Sequence, residues 1–420
     1  MNVILENFRS FAGRHEIELR PLTILTGENS TGKTSFLAAL SLIFDPESFP
    51  LKPKFNQEPY ALGGYDTIAT SQSGTRANAY SFSLGFESET GDESVLAEYD
   101  GEMGSGRVRL TRFCTGSGAH EVNVALEEAN SGTFRFTATG ADDLEELGLH
   151  IGNGSPEAQN AMFTSVLSQA VQYVVEEDKR SGFSESPPTV APGKSISLAP
   201  VRTSPKRTYE RVNDEYHPAG RHVLSVLAKA FREPSQTELR EDIRAQIQDF
   251  GSASGLFDDV RIRNLGDRPT DPFQVEVQRK GRWDNVVDVG YGVGQVLPIL
   301  IEALTADSSD LLLLQQPEVH LHPRAQAELG SFLARTIAER DIQVVLETHS
   351  DYIGDRIRTE IAEDTLDADD AQLLFFEKED LETTVHPIHF DGGGNVVDPP
   401  SSYRRFFMQE EIALLSRSIS

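Results

Sequence analysis

The segment Gly27-Glu28-Asn29-Ser30-Thr31-Gly32-Lys33-Thr34 decides the fold of this chain. It follows the pattern G-x-x-x-x-G-K-T, in which backbone N–H groups surround phosphate oxygens. The apolar residues 22–25 before it predict a buried strand, and residues 35–44 after it predict a helix, because they include good helix formers and no breaker. The segment, called the P-loop below, is therefore predicted to join a strand to a helix, which is the context that phosphate binding requires.

Each residue type in the P-loop suits the binding of a nucleoside triphosphate. Gly27 and Gly32 allow the backbone to curl until its N–H groups converge, and the following helix adds the positive end of its dipole. Lys33 is expected to reach the β and γ phosphates, and the Thr34 hydroxyl is expected to ligate Mg²⁺. The residues predicted to bind the nucleotide here are Gly27, Asn29, Ser30, Thr31, Gly32, Lys33, Thr34 and Ser35.

Composition and charge narrow the class of protein. A chain of 420 residues can bury a large core, and its length suggests two or three lobes. The formal net charge of −28 argues against a surface that wraps duplex DNA, because such binding relies on Lys and Arg that neutralise phosphates. Nucleic acid stays possible only through a local basic patch. The single cysteine, Cys114, excludes an internal disulfide and fits a reducing cytosol.

Targeting and membrane signals are also informative. The first residues already have the pattern of a strand, so no signal peptide is expected. No apolar run approaches the roughly 18 residues that a membrane-spanning helix needs. We therefore expect a cytoplasmic protein without membrane contact.

The predicted elements divide the chain into four parts. Residues 1–79 form the N-terminal part of the lobe that carries the P-loop, and residues 80–150 form an antiparallel β subdomain, since short alternating runs are separated by Gly, Asp and Ser clusters. Residues 151–255 form a helical insert with a Ser/Pro-rich loop. In residues 256–420, which form the C-terminal part of the lobe, buried strands alternate with helices, and this pattern implies a parallel sheet.

Individual elements are predicted from periodicity and from breaker residues. Strands are expected at residues 1–5, 15–19, 196–200, 273–279, 311–314 and 343–346. Helices are expected at residues 156–177, 221–231, 237–250, 295–305 and 324–340, and the loop at 181–194. Residues 373–379 and 383–390 are expected to be edge strands, followed by a docking helix at 403–415.

Three further motifs follow the P-loop, and their order is informative: DVGYGVGQ at 288–295, LLLLQQPEVHLHP at 311–323 and VVLETHSD at 344–351. With NFRSF at 7–11 and LAPVRTSPKR at 198–207, they resemble the ABC-type ATPases of the RecF, SMC and OLD (overcoming lysogenisation defect) group. Relatives of that group include the PtuA-like ATPases of bacterial anti-phage systems. The resemblance covers most of the chain and implies an α/β P-loop NTPase fold of ABC/RecF type, with ATP and Mg²⁺ as cofactors.

The same resemblance implies self-association. In that family two ATPase lobes meet head to tail, and each ATP lies between the P-loop of one copy and the Gly-rich signature of the other. Here the signature would comprise Gly290, Gly292 and Gly294, in a turn ahead of the helix predicted at 295–305, whose N-terminus would face the γ phosphate. A plain turn before a helix is the alternative, and relatives often carry Ser where this chain has Gly294. A homodimer or higher homo-oligomer is therefore expected.

The motif after the signature departs from the family. There the hydrophobic strand ends in an acidic pair, of which the first residue holds Mg²⁺ through water and the second orients the attacking water, whereas this chain has Gln315 and Gln316. An amide forfeits attraction to a dication and is a poor general base, so hydrolysis is expected to be slow or absent. Gln315 stays a weak candidate for Mg²⁺, and Gln316 stays a catalytic candidate. Glu318 is the nearest replacement carboxylate, and Glu347 is the second.

Two other residues carry expectations from the resemblance. His349 matches the histidine that senses the γ phosphate, and an imidazole can donate a hydrogen bond to phosphate oxygen. The alternative for His349 is an ordinary loop position. Arg9 has two interpretations of equal weight. In one it contacts a phosphate or the adenine of the nucleotide, and in the other it is a solvated surface residue.

One histidine pair and one aspartate pair are weak signals of a zinc site and of a nuclease metal site. His320 and His322 have the spacing of metal ligands, but no Cys or acidic cluster completes a zinc site. Asp367 and Asp369 have the spacing of a nuclease metal pair, yet they lie in an acidic run that favours a solvated loop.

The favoured hypothesis is an ATP-binding ATPase that dimerises around ATP and acts as sensor or regulator of a separate effector protein, a nuclease or toxin, in anti-phage defence. One alternative is a non-hydrolysing ATP-bound scaffold that cages a toxin or nuclease. The other is a DNA-repair clamp like RecF, against which the acidic charge speaks. The defence assignment rests on analogy, because a shared fold does not fix a biological role.

Overall fold

The fold is described from a computed structural model. The described residues are 1–70, 81–88, 90, 93–101, 104, 106–117, 120–127, 133–139, 147–150, 193–210, 215–232, 237–268, 271–308 and 310–403. The helices predicted at 156–177 and 403–415 and the loop predicted at 181–194 lie outside these residues, except for residues 193, 194 and 403. No helix of the described residues is both long and apolar enough to cross a bilayer.

Strands and helices are numbered along the chain. The strands are β1 (Asn2–Phe8), β2 (Phe11–Glu18), β3 (Leu22–Gly27), β4 (Phe82–Glu87), β5 (Glu93–Gly101), β6 (Val108–Ser117), β7 (His120–Glu127), β8 (Thr133–Thr139), β9 (Leu147–His150), β10 (Ser195–Leu198), β11 (Asp259–Asn264), β12 (Phe273–Arg279), β13 (Arg282–Asn285), β14 (Leu311–Gln315), β15 (Gln343–Glu347), β16 (Ala371–Glu379), β17 (Glu382–Phe390) and β18 (Val396–Val397). The helices are α1 (Lys33–Ile43), α2 (Tyr65–Ile68), α3 (Val223–Arg232), α4 (Thr237–Ser254), α5 (Tyr291–Thr305), α6 (Pro323–Arg340) and α7 (Asp351–Ala362).

A seven-stranded mixed sheet carries the P-loop. Its strand order is β10-β14-β15-β3-β16-β17-β18, and the pairs from β10 to β16 are parallel while β17 and β18 run antiparallel. Along β14, Leu311 and Leu313 belong to one core cluster and Leu312 and Leu314 to the other, because successive side chains of a strand point to opposite faces. Both faces are covered, which explains the uninterrupted apolar run and confirms the predicted parallel arrangement.

The second sheet is antiparallel, as predicted for the region after residue 80. Its order is β2-β1-β4-β5-β6-β7-β8-β9, so the N-terminal hairpin β1–β2 is part of it as well. Helix α1 packs between this sheet and one face of the mixed sheet, where Phe36 contacts Phe11 and Phe376. Residues of helices α3 to α7 pack in the core cluster on the other face of the mixed sheet. The carboxyl ends of β3, β14 and β15 therefore meet at one edge, where ligands bind in open α/β sheets.

Two predictions of local structure are wrong. Residues 373–379 were expected at a sheet edge, but β16 pairs with β3 on one side and β17 on the other, and this explains why its Leu and Phe residues are largely buried. Helix α5 begins at Tyr291 rather than at Gln295, so Gly292 and Gly294 lie in its first turn. A Cβ on Gly294 would lie 2.7 Å from Cγ of Pro205, and this close packing offsets the poor helix propensity of glycine.

Candidate nucleotide-binding site

The P-loop joins β3 to α1 and folds around the side chain of its lysine. Lys33 is buried, and its Nζ donates hydrogen bonds to the carbonyl oxygens of Gly27 at 2.9 Å and Glu28 at 2.7 Å. Ser30 adopts a left-handed conformation with φ of 65°. The Thr31 hydroxyl donates to the Glu28 carbonyl at 2.9 Å. The loop is thus a closed nest, with the ammonium group at its centre.

Both glycines of the P-loop are required by contacts within the chain. Gly27 has φ of 139°, and a Cβ there would lie 2.3 Å from the carbonyl oxygen of Phe376 in β16. Gly32 has φ of 109°, and a Cβ there would lie 2.8 Å from Oγ1 of Thr383 in β17. The Thr383 hydroxyl also hydrogen-bonds to the carbonyl oxygen of Thr31 at 2.8 Å. Strands β16 and β17 therefore support the loop from behind.

The N-terminus of α1 is suited to an anion. Gly32 is its N-cap, no side chain of the described residues caps it, and its first turn contains no acidic residue. Helices α6 and α7, by contrast, are capped by the side chains of His322 and Ser350. The first N–H groups of α1 and the positive end of its dipole are therefore left for a ligand such as phosphate.

The ends of β14 and β15 place an amide beside a carboxylate. Gln315 and Glu347 are register neighbours in this parallel pair, and the backbone N–H of Gln316 donates to the Glu347 carbonyl at 2.7 Å. The Glu347 side chain is buried, with 6% of its surface exposed, and its Oε2 accepts a hydrogen bond from the Thr34 hydroxyl at 3.3 Å. Gln316 has φ of 41°, so the chain turns sharply directly after β14. The structure thus brings Thr34, Gln315 and Glu347 to one edge of the sheet.

Burial and two nearby carboxylates act in opposite directions on the pKa of Lys33. Burial lowers the pKa of the Lys33 ammonium, and the carboxylates of Glu347 and Glu28 oppose this shift. A buried cation is costly unless opposite charges or hydrogen bonds compensate it. The two carboxylates therefore help to keep the ammonium charged, as the binding of a triphosphate requires.

Glu318 is fixed between the turn after β14 and the start of α7. Its carboxylate accepts hydrogen bonds from the Thr348 hydroxyl at 2.9 Å and from the backbone N–H of His349 at 2.8 Å. The His349 side chain is exposed. It lines a cavity of about 950 Å³ together with Gly27, Glu28, Asn29, Thr31 and Thr348, and the cavity continues along α7 and β16. This volume is at the upper end for small-molecule sites.

Arg202 is a buried cation that the sequence did not single out. It is 1% exposed, and its backbone N–H and carbonyl exchange hydrogen bonds with the Gln295 side chain at 3.1 and 3.2 Å. Its guanidinium donates to the carbonyl oxygens of Ala199 at 3.2 Å and Pro317 at 3.4 Å. Burial lowers the pKa of Arg202 to about 10, and the nearby Glu318 carboxylate opposes that shift. Arg202 thus connects helix α5 to the turn that carries Glu318.

The predicted signature lies at the N-terminus of α5. Gly290 is the exposed N-cap, and apart from its two chain neighbours no described residue has a heavy atom within 4 Å of the position that its Cβ would occupy. A Cβ on Gly292 would lie 3.1 Å from the carbonyl oxygen of His320. Tyr291 is 45% exposed and meets the His320 ring edge-on, with 4.7 Å between ring centroids. Among the described residues, none of the three signature glycines lines the cavity at the P-loop of the same chain.

The remaining candidates occupy structural positions. The Arg9 guanidinium donates to the carbonyl oxygens of Leu62 at 3.2 Å and Thr67 at 2.9 Å, and Arg9 does not contribute to the described lining of the cavity. A role of Arg9 toward phosphate or adenine stays a prediction. His322 caps α6, and the Asp367 side chain caps the short 3₁₀ turn at residues 368–370.

Comparisons with known proteins locate these features within two family models. Residues 1–100, with the P-loop and Arg9, match the family described as "AAA ATPase domain". Residues 178–355, which include Arg202, the signature, Glu318 and His349, match the family described as "AAA domain, putative AbiEii toxin, Type IV TA system". The chain matches AAA-type ATPase domains. No curated protein shows significant sequence similarity to it.

The two sheets and the P-loop between β3 and α1 show the fold of an α/β P-loop NTPase. The chain is also similar to solved structures of SMC heads. The SmcHead bound to the C-winged helix domain of ScpA has 11% identity and a TM-score of 0.48, with 93% of this chain and 97% of that chain covered. The SMC head domain from Thermotoga maritima has 11% identity, a TM-score of 0.41 and coverages of 92% and 97%. The Smc head domain with an extended coiled coil, bound to the C-terminal domain of ScpA derived from Pyrococcus furiosus, has 10% identity, a TM-score of 0.45 and coverages of 100% and 99%. Similarity at this level carries no information on partners or activity.

Proposed function

We propose that this chain binds ATP with Mg²⁺ at the P-loop and dimerises around the nucleotide. The observation that carries the proposal is the nest of residues 27–34, with its buried Lys33 and the uncapped N-terminus of α1. The nest presents N–H groups and an ammonium, which together suit the oxygens of a triphosphate. The AAA-type family matches support nucleotide binding as well.

The donor atoms at the edge of the sheet fit Mg²⁺. The Thr34 hydroxyl and the Glu347 carboxylate are hard oxygen ligands of the kind that Mg²⁺ takes beside nucleotide phosphates. Bound there, Mg²⁺ would neutralise charge on the β and γ phosphates. Lys33 would exchange the Gly27 and Glu28 carbonyl oxygens for phosphate oxygens as its hydrogen-bond acceptors.

Two residues beyond the P-loop would act toward the γ phosphate. The Glu318 carboxylate, held by Thr348 and the N–H of His349, would accept a hydrogen bond from the attacking water. His349, exposed on the wall of the cavity, would donate a hydrogen bond to a γ-phosphate oxygen. Turnover would be slow, because Gln316 supplies no carboxylate at the turn.

Dimerisation is supported by the surface around the signature. The N-terminus of α5 has an exposed N-cap, Gly290, without a capping side chain of the described residues, so its N–H groups are left for an anion. Apolar side chains nearby are exposed: Val201 by 64%, Tyr291 by 45% and Val287 by 40%. The neighbours given for Gly292 and Gly294 in their own chain include Pro205, His320 and Leu321 but no residue of the P-loop, so a second copy would bring its signature to the nucleotide.

Isothermal titration calorimetry with ATP and Mg²⁺ tests nucleotide binding. The Lys33→Ala variant should lose measurable affinity, because it removes the ammonium at the centre of the nest. Lys52→Ala is the matched control, since Lys52 is exposed and lines a different cavity with Tyr99 and Leu110, and it should bind as the wild-type chain does. Retained affinity in Lys33→Ala would contradict the proposal.

A non-hydrolysing scaffold is the second candidate, favoured by the amides Gln315 and Gln316 where carboxylates are expected. A phosphate-release assay separates the two functions. Turnover that Glu318→Gln abolishes supports the slow ATPase. Tight ATP binding without any phosphate release supports the scaffold.

The biological role that we infer is regulation of a separate effector, a nuclease or toxin, in anti-phage defence. The description of the family matched by residues 178–355, a putative toxin of a type IV toxin–antitoxin system, supports the defence setting. The separate effector rests on analogy with the ATPases that the chain resembles. Co-expression with the products of adjacent genes tests this role. A neighbouring product that is toxic alone and is silenced by this chain, but not by Lys33→Ala, is the expected result. Adjacent genes whose products are harmless with and without the chain would contradict it.

A further inference from the structure

We infer that Glu347, at the end of β15, supplies the carboxylate for Mg²⁺ that the end of the neighbouring strand β14 lacks. The inference rests on the proposed binding of Mg²⁺ and ATP. It begins from the observation that Gln315, at the end of β14, and Glu347, at the end of β15, are paired in register. Adjacent strands of a parallel sheet lie about 4.8 Å apart, so a carboxylate on either one reaches the same region.

The side chain of Glu347 is directed at the expected ligand of the metal. Its Oε2 accepts a hydrogen bond from the Thr34 hydroxyl, the group that a P-loop offers to Mg²⁺. Glu318, although nearer in sequence to the missing acidic pair, binds Thr348 and the N–H of His349 instead. The two carboxylates are therefore assigned to different tasks, Glu347 to the metal and Glu318 to the water.

Glu347 is buried, and its carboxylate therefore needs a compensating positive charge or several hydrogen bonds. The side chain is 6% exposed, and a buried carboxylate is costly without a cation or several hydrogen bonds to compensate it. The Lys33 ammonium lies close enough to interact with it, yet its hydrogen bonds go to the carbonyl oxygens of Gly27 and Glu28. Once Lys33 turns to the phosphates, a dication beside Thr34 would compensate the Glu347 charge.

The test compares the single variants Glu347→Gln and Glu318→Gln and the double variant Gln315→Glu with Glu347→Gln. The first measurement is calorimetry of a non-hydrolysable ATP analogue with Mg²⁺ and with EDTA. The second is electron paramagnetic resonance of Mn²⁺, used as the probe in place of Mg²⁺, in the presence of the analogue. The double variant keeps the net charge and returns the carboxylate to β14. Thermal melting reports whether each variant is folded.

The expected result is that Mg²⁺ increases the affinity of the wild-type chain for the analogue and that Glu347→Gln weakens Mn²⁺ binding by about 100-fold, since it removes a unit charge beside a dication. Glu318→Gln should retain wild-type Mn²⁺ affinity, and the double variant should recover most of it. If Glu347→Gln alone is unfolded, recovery in the folded double variant supports the inference, and a folded double variant that responds to Mg²⁺ no better than to EDTA overturns it.

Two further results would overturn the inference, and they can be told apart. Wild-type-like Mn²⁺ affinity in folded Glu347→Gln overturns this inference and leaves the proposed nucleotide site standing. A wild-type chain that binds no analogue under either condition overturns both, because there is then no triphosphate beside which the metal could bind.

Discussion

The P-loop and the signature are both glycine-rich starts of helices, yet their surroundings are opposite. At the P-loop, Cβ atoms on Gly27 and Gly32 would collide with β16 and with Thr383 of β17. At the signature, a Cβ on Gly290 would have no described atom within 4 Å apart from those of its two chain neighbours. The first loop is completed by its own chain, whereas the second is left open at its tip.

This difference separates two reasons for a glycine. Gly27 and Gly32 combine positive φ with close approach of the supporting strands, so the fold itself requires them. Gly290 has φ of −57°, a conformation open to every residue, so nothing in the described chain requires glycine there. A ligand or a second copy that approaches the backbone closely would explain it.

Substitution of one glycine in each region should destabilise the fold at the P-loop but not at the signature. Gly27→Ala should destabilise the fold by about 3 kcal/mol or more, because it adds a clash with the Phe376 carbonyl to an unfavourable φ. Gly290→Ala, the matched control, should change the free energy of unfolding by less than about 0.5 kcal/mol. Urea unfolding followed by circular dichroism measures both values. Equal losses in the two variants would contradict the distinction.

Arg202 links the signature helix α5 to the turn that carries Glu318, so its removal should disturb both of these elements. Arg202→Met keeps much of the volume but leaves the Ala199 and Pro317 carbonyl oxygens without their donor, which should cost about 2 kcal/mol of stability. The Glu318 carboxylate would also lose a neighbouring positive charge. The same unfolding experiment tests the prediction, with Arg240→Met as a control because that side chain lies on α4, away from these contacts. If Arg202→Met is as stable as the wild-type chain, the hydrogen bonds of Arg202 contribute nothing measurable to the free energy of unfolding, and the prediction is wrong.

The support behind the P-loop can be tested with a smaller change. Thr383→Val preserves shape but removes the hydroxyl that bonds to the Thr31 carbonyl and contacts Ser10 at 2.7 Å. A loss of about 1 kcal/mol is expected, with a few-fold weaker ATP binding as the nest loosens. Calorimetry and urea unfolding check the two effects. If Thr383→Val binds ATP as tightly as the wild-type chain, the support from β17 affects only the stability of the fold and not the nucleotide site.

Sequence patterns predict the parts of this molecule whose signals are local. The apolar run of β14 and the strand–loop–helix context of Lys33 are each contained in a short segment, and both predictions are confirmed. The alternation of strands with helices after residue 256 predicted the parallel part of the sheet.

The parts that sequence missed depend on contacts between distant residues. Thr383 reaches Thr31 across 352 positions, and no pattern around either residue marks that contact. Strand β11 was missed because its alternation involves arginines, of which Arg261 and Arg263 pair with Glu276 on β12. The early start of α5 depends on Gly294 packing against Pro205, so it too is set by tertiary structure.

The central claim is that a nucleotide held by one P-loop is closed by the signature of a second copy. The most direct measurement is light scattering of Lys33→Ala and Gly290→Trp, each alone and mixed, with ATP and Mg²⁺. Each variant alone should remain monomeric, because every composite site would have a damaged half. The mixture should dimerise, because the intact P-loop of one chain meets the intact signature of the other. A mixture that stays monomeric while the wild-type chain dimerises, or a Gly290→Trp chain that dimerises alone, would contradict the account.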